Sequence, residues 1–202
     1  MNETLQLNLF SNEVETPVCV LPRVTSRFCS FEVDSNFQTP VPICNYMVSM
    51  VPENAVTILE PTPGIGNIVN ALISKNRYQV ITADDFFLLD KSKRYDCIVM
   101  NPPFSSKSAF MGNAPVDAEI TGMKLGYYIL KECMKMSNNI IALMPWYTIS
   151  DSDVRMRYLR DFGMKSLTPL PRKTFQYARI QTVVIELEKG YQGSTKFYAH
   201  QF

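Results

Sequence analysis

At 202 residues, with 46% hydrophobic and 19% charged side chains and a formal net charge of +1, the chain can bury one core and is too short for two domains of ordinary size. Its 12 Phe and 10 Tyr exclude a disordered or fibrous polymer. No apolar run approaches the roughly 20 residues that span a bilayer, and the first residues lack the basic start and apolar core of a signal peptide, so a cytoplasmic protein with no membrane partner is expected.

The five cysteines, Cys19, Cys29, Cys44, Cys97 and Cys133, are an odd set without paired short spacing, and the only histidine is His200. Neither a metal site nor a disulfide framework is expected. The small net charge hides an asymmetry: residues 1–100 carry seven basic and eleven acidic side chains, residues 151–202 nine and five. A polyanion would prefer the last third, where Arg155, Arg157, Arg160, Arg172, Lys173 and Arg179 lie, although a solvated helix face carrying Arg155 and Arg160 gives the same count.

Residues 1–36, rich in Asn, Glu, Thr and Ser, predict an arm ahead of a single domain over 37–202. Helical spacing over Pro42–Met50 is ended by Pro52. Val56-Thr57-Ile58-Leu59 reads as a buried parallel strand that runs into a glycine-bearing turn. A helix over Asn67–Ser74 and a strand over Gln79–Thr82 follow, then a buried strand over Cys97–Met100. Asp117–Met136 has helical apolar spacing, Ile140–Met144 is a further strand, and Thr182–Leu187 closes the series. The order predicts an α/β fold with a mainly parallel sheet and ligands beyond the carboxyl ends of the strands, in the turns after Leu59, Thr82, Met100 and Met144.

The turn Glu60-Pro61-Thr62-Pro63-Gly64-Ile65-Gly66-Asn67 places two glycines between strand and helix, where backbone can approach a ligand and present N–H groups. No Gly-Lys-Ser/Thr follows, which excludes a phosphate loop, and Val69 stands where the dinucleotide fingerprint needs its third glycine. After the next buried strand comes Asn101-Pro102-Pro103-Phe104. Its two prolines stiffen the bend, so the Asn101 amide oxygen and the Pro102 carbonyl can face one small group. Two acceptors suit an amino group with two N–H bonds, because accepting both frees the nitrogen lone pair for attack. A rigid turn that merely caps a strand is the bland alternative.

Glu-Pro-x-x-Gly-x-Gly resembles motif I of the amino-methyltransferases, and Asn-Pro-Pro-Phe resembles motif IV of the N6-adenine-specific DNA methyltransferases, here in a small form without a target-recognition domain. The resemblance covers about residues 37–188 and implies a Rossmann-like fold with an antiparallel C-terminal strand. It also implies S-adenosylmethionine as cofactor and methylation of the adenine N6 amino group. Glu60, Pro61, Thr62, Gly64, Gly66 and Asn67 then hold the methionine part of the cofactor, and Asn101, Pro102, Pro103 and Phe104 form the catalytic set. Thr39-Pro40 looks like motif X against the cofactor carboxylate, or is a turn opening a helix. Asp85-Phe86 looks like motif III around the cofactor adenine, or is a surface carboxylate beside a core ring. Phe175 and Tyr177 lie where motif VIII stacks an aromatic on the target base together with Phe104; core packing is their alternative, and Phe175 is preferred.

Two departures qualify the resemblance. Between Gly66 and Asn101 the chain is too short for the additional strand and helix the family usually carries, so the sheet is shortened there. The carboxylate that binds the cofactor ribose is either lost or is Asp84, and cofactor binding is expected to be weak. No segment is left to read a duplex sequence, which implies low or partner-supplied specificity on DNA, with a single strand or RNA also accommodated. Other readings are methylation of an RNA amino group or a protein glutamine, or an inactive binding module. In the arm, Gln6-Leu7-Asn8-Leu9-Phe10 resembles the peptide that docks bacterial replication proteins on the sliding clamp, with Gln6, Leu7, Leu9 and Phe10 as anchors; a leader packed on its own domain is the alternative.

Overall fold

The computed structural model describes residues 38–115, 120, 122–175 and 180–199. The arm, Phe37, the candidate clamp peptide at Gln6, Leu7, Leu9 and Phe10, and also Cys19, Cys29, Tyr177, Arg179 and His200, lie outside them.

Three short apolar runs make the centre of the sheet. β1 (Thr57–Glu60), β2 (Gln79–Thr82) and β3 (Cys97–Met100) run parallel, and β4 (Asn139–Pro145) continues the parallel set beside β3. β6 (Thr182–Glu188) returns antiparallel along the full length of β4, from Asn139 opposite Glu188 to Pro145 opposite Thr182. β5 (Met164–Pro169) pairs antiparallel with the other side of β6, and a two-residue β7 (Lys196–Phe197) lies parallel to β5. The strand order is β2-β1-β3-β4-β6-β5-β7, so the expected mainly parallel sheet with an antiparallel C-terminal strand is observed.

Side chains alternate across a strand, and here alternation distributes the core to two faces. Ile58, Cys97, Val99, Ile141, Leu143 and Val184 pack against Ile43, Met47 and Leu72 of α1 (Val41–Ser49) and α2 (Asn67–Ile73). Leu59, Ile98, Met100, Ile140 and Ala142 face Leu125, Ile129 and Leu130 of α3 (Leu125–Met136), with Leu159 of α5 (Asp153–Phe162). The sheet is thus covered on both faces, the arrangement that lets parallel strands be apolar throughout. α4 (Tyr147–Ser150) is a single turn between β4 and α5.

The shortened middle is visible as an edge. β2 is the outermost strand, with Gln79 and Thr82 exposed, and only a 3₁₀ turn, Phe86–Leu88, intervenes as an element before β3. Two elements depart from the sequence reading. The helix expected from Asp117 begins at Leu125, after a 3₁₀ turn at Gly122–Lys124. β5 was not expected, because two of its four buried positions, Ser166 and Thr168, are polar. Ser166 Oγ donates to Glu186 Oε2 (2.6 Å), and Thr168 Oγ1 is bonded to the Tyr46 hydroxyl (2.6 Å); satisfied in this way, they bury without an apolar alternation. α5 carries the solvated face, with Arg157 paired to Asp153 (2.8 Å) and Arg160 near Asp161 (3.7 Å). Two of the nine basic side chains of the last third are therefore paired within their own helix. Among the described residues no helix is long and apolar enough to cross a membrane, and no group of three potential metal ligands occurs.

The opposite ends of β1, β3 and β4 are pinned by one carboxylate. Asp96 Oδ2 accepts from the backbone of Val56 (3.0 Å) and Thr57 (2.8 Å) and from Thr57 Oγ1 (2.9 Å), while its carbonyl accepts from Asn139 Nδ2 (3.0 Å). These bonds, first those from the Thr57 and Val56 backbone, hold its pKa below the usual carboxylate value. A group with a lowered folded pKa stabilises above its unfolded pKa, and the contribution fades as pH falls through the folded value. Because Asp96 is exposed, Asp96→Ala is expected to cost only about 1–2 kcal/mol at neutral pH. Urea unfolding should show the gap between wild type and variant closing below about pH 4.

Candidate active site

The carboxyl ends of β1, β2 and β3 release three connections that enclose one cavity of about 490 Å³, a volume in the range of small-molecule sites. From the first come Glu60, Pro61, Thr62, Gly64 and Asn67; from the second, Asp84, Asp85 and Phe86; from the third, Asn101, Pro102, Pro103 and Phe104. Thr39 and Phe175 complete the wall, and Leu125 and Ile129 of α3 are among the residues that line it. Sequence positions as distant as 39 and 175 meet here because parallel strands send all their following turns to one edge of the sheet.

Glu60 is the last residue of β1 and is fully buried. Its Oε1 accepts from the Thr62 backbone (2.9 Å) and from Thr62 Oγ1 (3.2 Å), while Oε2 has no hydrogen-bond partner among the described residues. A buried acceptor without a donor costs free energy. On the wall of a cavity it suits a ligand carrying a cationic N–H group. Burial pushes the Glu60 carboxyl up to about 8, against the opposing effect of the two Thr62 bonds. The Thr62 hydroxyl also lies 3.4 Å from the Asn101 carbonyl oxygen, so the first turn touches the third.

Gly64 adopts a left-handed φ of +55°, and a Cβ there would stand 2.5 Å from Gln38 Oε1. That oxygen accepts from the Ile65 backbone (3.1 Å), so the absent side chain lets Gln38 clasp the turn. Asn67 opens α2 and donates through Nδ2 to the Thr39 carbonyl (2.9 Å). Asn101 donates through Nδ2 to Thr39 Oγ1 (3.0 Å). With the amide nitrogen turned to Thr39, Oδ1 is the opposite atom of a carboxamide that is partly exposed on the cavity wall.

Asp85 caps the 3₁₀ turn, Oδ1 accepting from the Phe87 backbone (2.8 Å), and its Oδ2 accepts from Asn113 Nδ2 (2.8 Å). Phe86 is buried in the core yet reaches the cavity, with Lys91 Nζ 5.0 Å from its ring centroid. Phe86 is therefore a core residue that also lines the cavity beside Asp85. Asp84 is exposed at the rim. Phe175 is also both buried and on the wall.

Pro40 and Gly66 are not among the residues that line the cavity. Each stands at the cap of a helix, where the Pro40 carbonyl accepts from Cys44 and the Gly66 carbonyl from Asn70, so their φ values serve helix initiation. The turn after Met144 also stays clear of the cavity: Trp146 pairs through its backbone with Gln181 (2.8 Å) and leads directly into α4. Gln38 and Asn113, by contrast, escaped the sequence reading. Their signal is the reach of a polar side chain to a distant turn, which spacing along the chain does not encode.

A glutamate with a raised folded pKa binds its proton more tightly folded than unfolded, so stability falls as pH rises from the ordinary value of 4.5 toward about 8. Glu60→Gln keeps the shape and removes the ionisation. Chemical unfolding of the ligand-free protein between these pH values is expected to lose stability in wild type and to change less in the variant. Equal slopes would show that Glu60 titrates normally.

No protein-family model matches the sequence, and no curated protein matches it. Solved structures do. A chain described as a modification subunit of a type I restriction enzyme from Vibrio vulnificus is 18% identical with a TM-score of 0.60, over 81% of this chain and 46% of its own. The type I restriction-modification methyltransferase subunit of Streptococcus thermophilus is 17% identical with a TM-score of 0.60, over 80% and 47%. A class I S-adenosylmethionine-dependent methyltransferase of Listeria monocytogenes is 15% identical with a TM-score of 0.56, over 82% and 65%. The chain spans less than half the length of the two modification subunits. With its strand order, antiparallel C-terminal strands and cavity at the carboxyl edge, the protein has the Rossmann-like fold of the S-adenosylmethionine-dependent methyltransferases.

Proposed function

We propose that this protein transfers a methyl group from S-adenosylmethionine to an exocyclic amino group, with adenine N6 in DNA as the substrate. The observation that carries this reading is the shared cavity. The Asn101 carboxamide, oriented by Thr39, and the Glu60 carboxyl, with one oxygen unpaired, line one enclosed space.

The residues fit the cofactor in its parts. In this reading Glu60 Oε2 takes the ammonium of the methionine portion and exposed Asp84, which lines the same cavity, accepts from ribose hydroxyls. Phe86 offers an apolar ring to the adenine. Each oxygen of Asp85 has a second lone pair beside the bond it already accepts, so the carboxylate can also take an amino group. The bound cofactor supplies an electrophilic methyl on a sulfonium and a neutral thioether leaving group. The chain's own part is placement. Asn101 Oδ1 and the Pro102 carbonyl accept the two N–H bonds of the amine, which takes its lone pair out of conjugation, and Phe104 and Phe175 flank the ring. The proton shed by the methylated nitrogen leaves to solvent, and no side-chain nucleophile is required.

DNA is favoured over RNA or a protein glutamine by the resemblance of the Asn-Pro-Pro-Phe turn and by the restriction-modification subunits among the fold neighbours. In this reading sequence specificity is low or supplied by a partner, and a single strand spares the few kcal/mol of base extraction. The decisive experiment incubates the protein with methyl-labelled S-adenosylmethionine and separate pools of DNA, RNA and protein. Label is expected on adenine N6 of DNA. Asn101→Ala should reduce transfer by about 10²–10³-fold, the scale of losing one preorganised polar contact, while cofactor binding by calorimetry is retained. Label confined to RNA or protein would replace the substrate, and full activity of the variant would remove Asn101 from the chemistry.

A further inference from the structure

The chain leaves the Asn-Pro-Pro-Phe turn, makes the long connection to α3, and returns so that the second residue of that helix lies behind the turn it left. That residue is Gly126, and it is buried. A Cβ built on it would stand 3.3 Å from the Pro103 carbonyl oxygen, 3.5 Å from Phe104 Cα and 3.7 Å from Met144 Cε. The first of these is closer than a methyl group ordinarily sits, and it belongs to backbone, which cannot swing aside as a side chain can. Glycine weakens a helix relative to alanine, yet the backbone of Gly126 is not among the left-handed conformations that would require it. Close approach to the turn is the remaining physical reason for a glycine here.

We infer that Gly126 is a positioning residue for the amine site: its missing side chain lets α3 back directly onto Pro103 and Phe104. The Pro102 carbonyl and the Phe104 ring are thereby held in register with Asn101. Neighbours on the same helix, Leu125 and Ile129, line the cavity, so one rigid element sets both the wall and the turn. A side chain at 126 meets the backbone of the third connection first, with only an ordinary contact to Met144 Cε beyond it. Glu60, Gly64 and Asp84 belong to the other two connections and keep their places.

This inference rests on the methyltransferase reading, and the test separates the two. Gly126→Ala and Gly126→Val are made in the full chain. The cofactor dissociation constant, methyl transfer to an oligonucleotide, and the fluorescence of the same oligonucleotide carrying 2-aminopurine at the methylated position are measured. Alanine is the better helix former, so if the space behind the turn were open the alanine variant would melt no lower than wild type and work as well. The expected result is a cofactor affinity within about twofold of wild type, with kcat lowered roughly threefold to tenfold by Ala and about 10²-fold by Val, the scale of a misplacement approaching 1 Å. The 2-aminopurine signal should shift in the same order, which a loss of global stability would not produce while cofactor binding persists. An alanine variant with wild-type kcat and wild-type fluorescence would overturn the inference, as would a loss of cofactor affinity in step with kcat. Where valine prevents folding, the alanine variant alone decides. A wild-type protein that transfers no methyl to any amine acceptor would instead strike the functional reading, and Gly126 would then stand or fall by the fluorescence shift.

Discussion

The candidate site depends on what Thr39 holds together. Its hydroxyl takes the Asn101 amide and its carbonyl takes the Asn67 amide, so a single buried residue ahead of α1 ties the turn after β3 to the start of α2. The Thr62 contact to the Asn101 carbonyl closes the same circuit from β1. Turns after parallel strands diverge unless something joins them, and polar groups buried at their roots must find partners within the protein. Here both demands are met by the same few bonds. An asparagine so fixed has already given up its side-chain freedom within the protein.

The site is divided in chemical character. The connections after β1 and β2 bring the carboxylates Glu60, Asp84 and Asp85 to the wall, and the connection after β3 brings a neutral carboxamide, two prolines and an aromatic ring. Carboxylates attract a cationic ligand. Neutral acceptors suit an uncharged planar amine, which would be poorly served by a charged neighbour competing for its protons. Burial keeps the Glu60 proton on near neutrality while one oxygen stays unpaired. The cavity wall therefore carries a buried polar atom without a partner among the described residues.

The shortened sheet explains why so small a chain can still enclose such a site. The cavity lies over the ends of β1, β2 and β3, and an additional strand would extend the sheet beyond β2, outside the three connections that form its wall. What the shortening removes is cover for the outer edge of β2, where Gln79 and Thr82 are exposed, and Asp84 is an exposed part of the wall.

The sequence by itself determined the parallel strands and the two turns that carry the chemistry. Cys97–Met100 and the run at Ile140 are apolar on both faces, and Pro-rich or Gly-rich bends follow two of the strands; such signals are local and survive without neighbours. It was silent on β5, whose buried Ser166 and Thr168 look solvent-facing until Glu186 and Tyr46 are brought beside them. Only the tertiary structure decided that Pro40 and Gly66 cap helices while Gln38 lines the cavity and Asn113 holds Asp85, and that Gly126 is a point of contact rather than a weak place in a helix. The reason is one of range. Backbone preference and apolar period are written in neighbouring residues, whereas the partner of a polar side chain, or the space a missing one leaves, is fixed by residues tens of positions away that meet only when the sheet has formed.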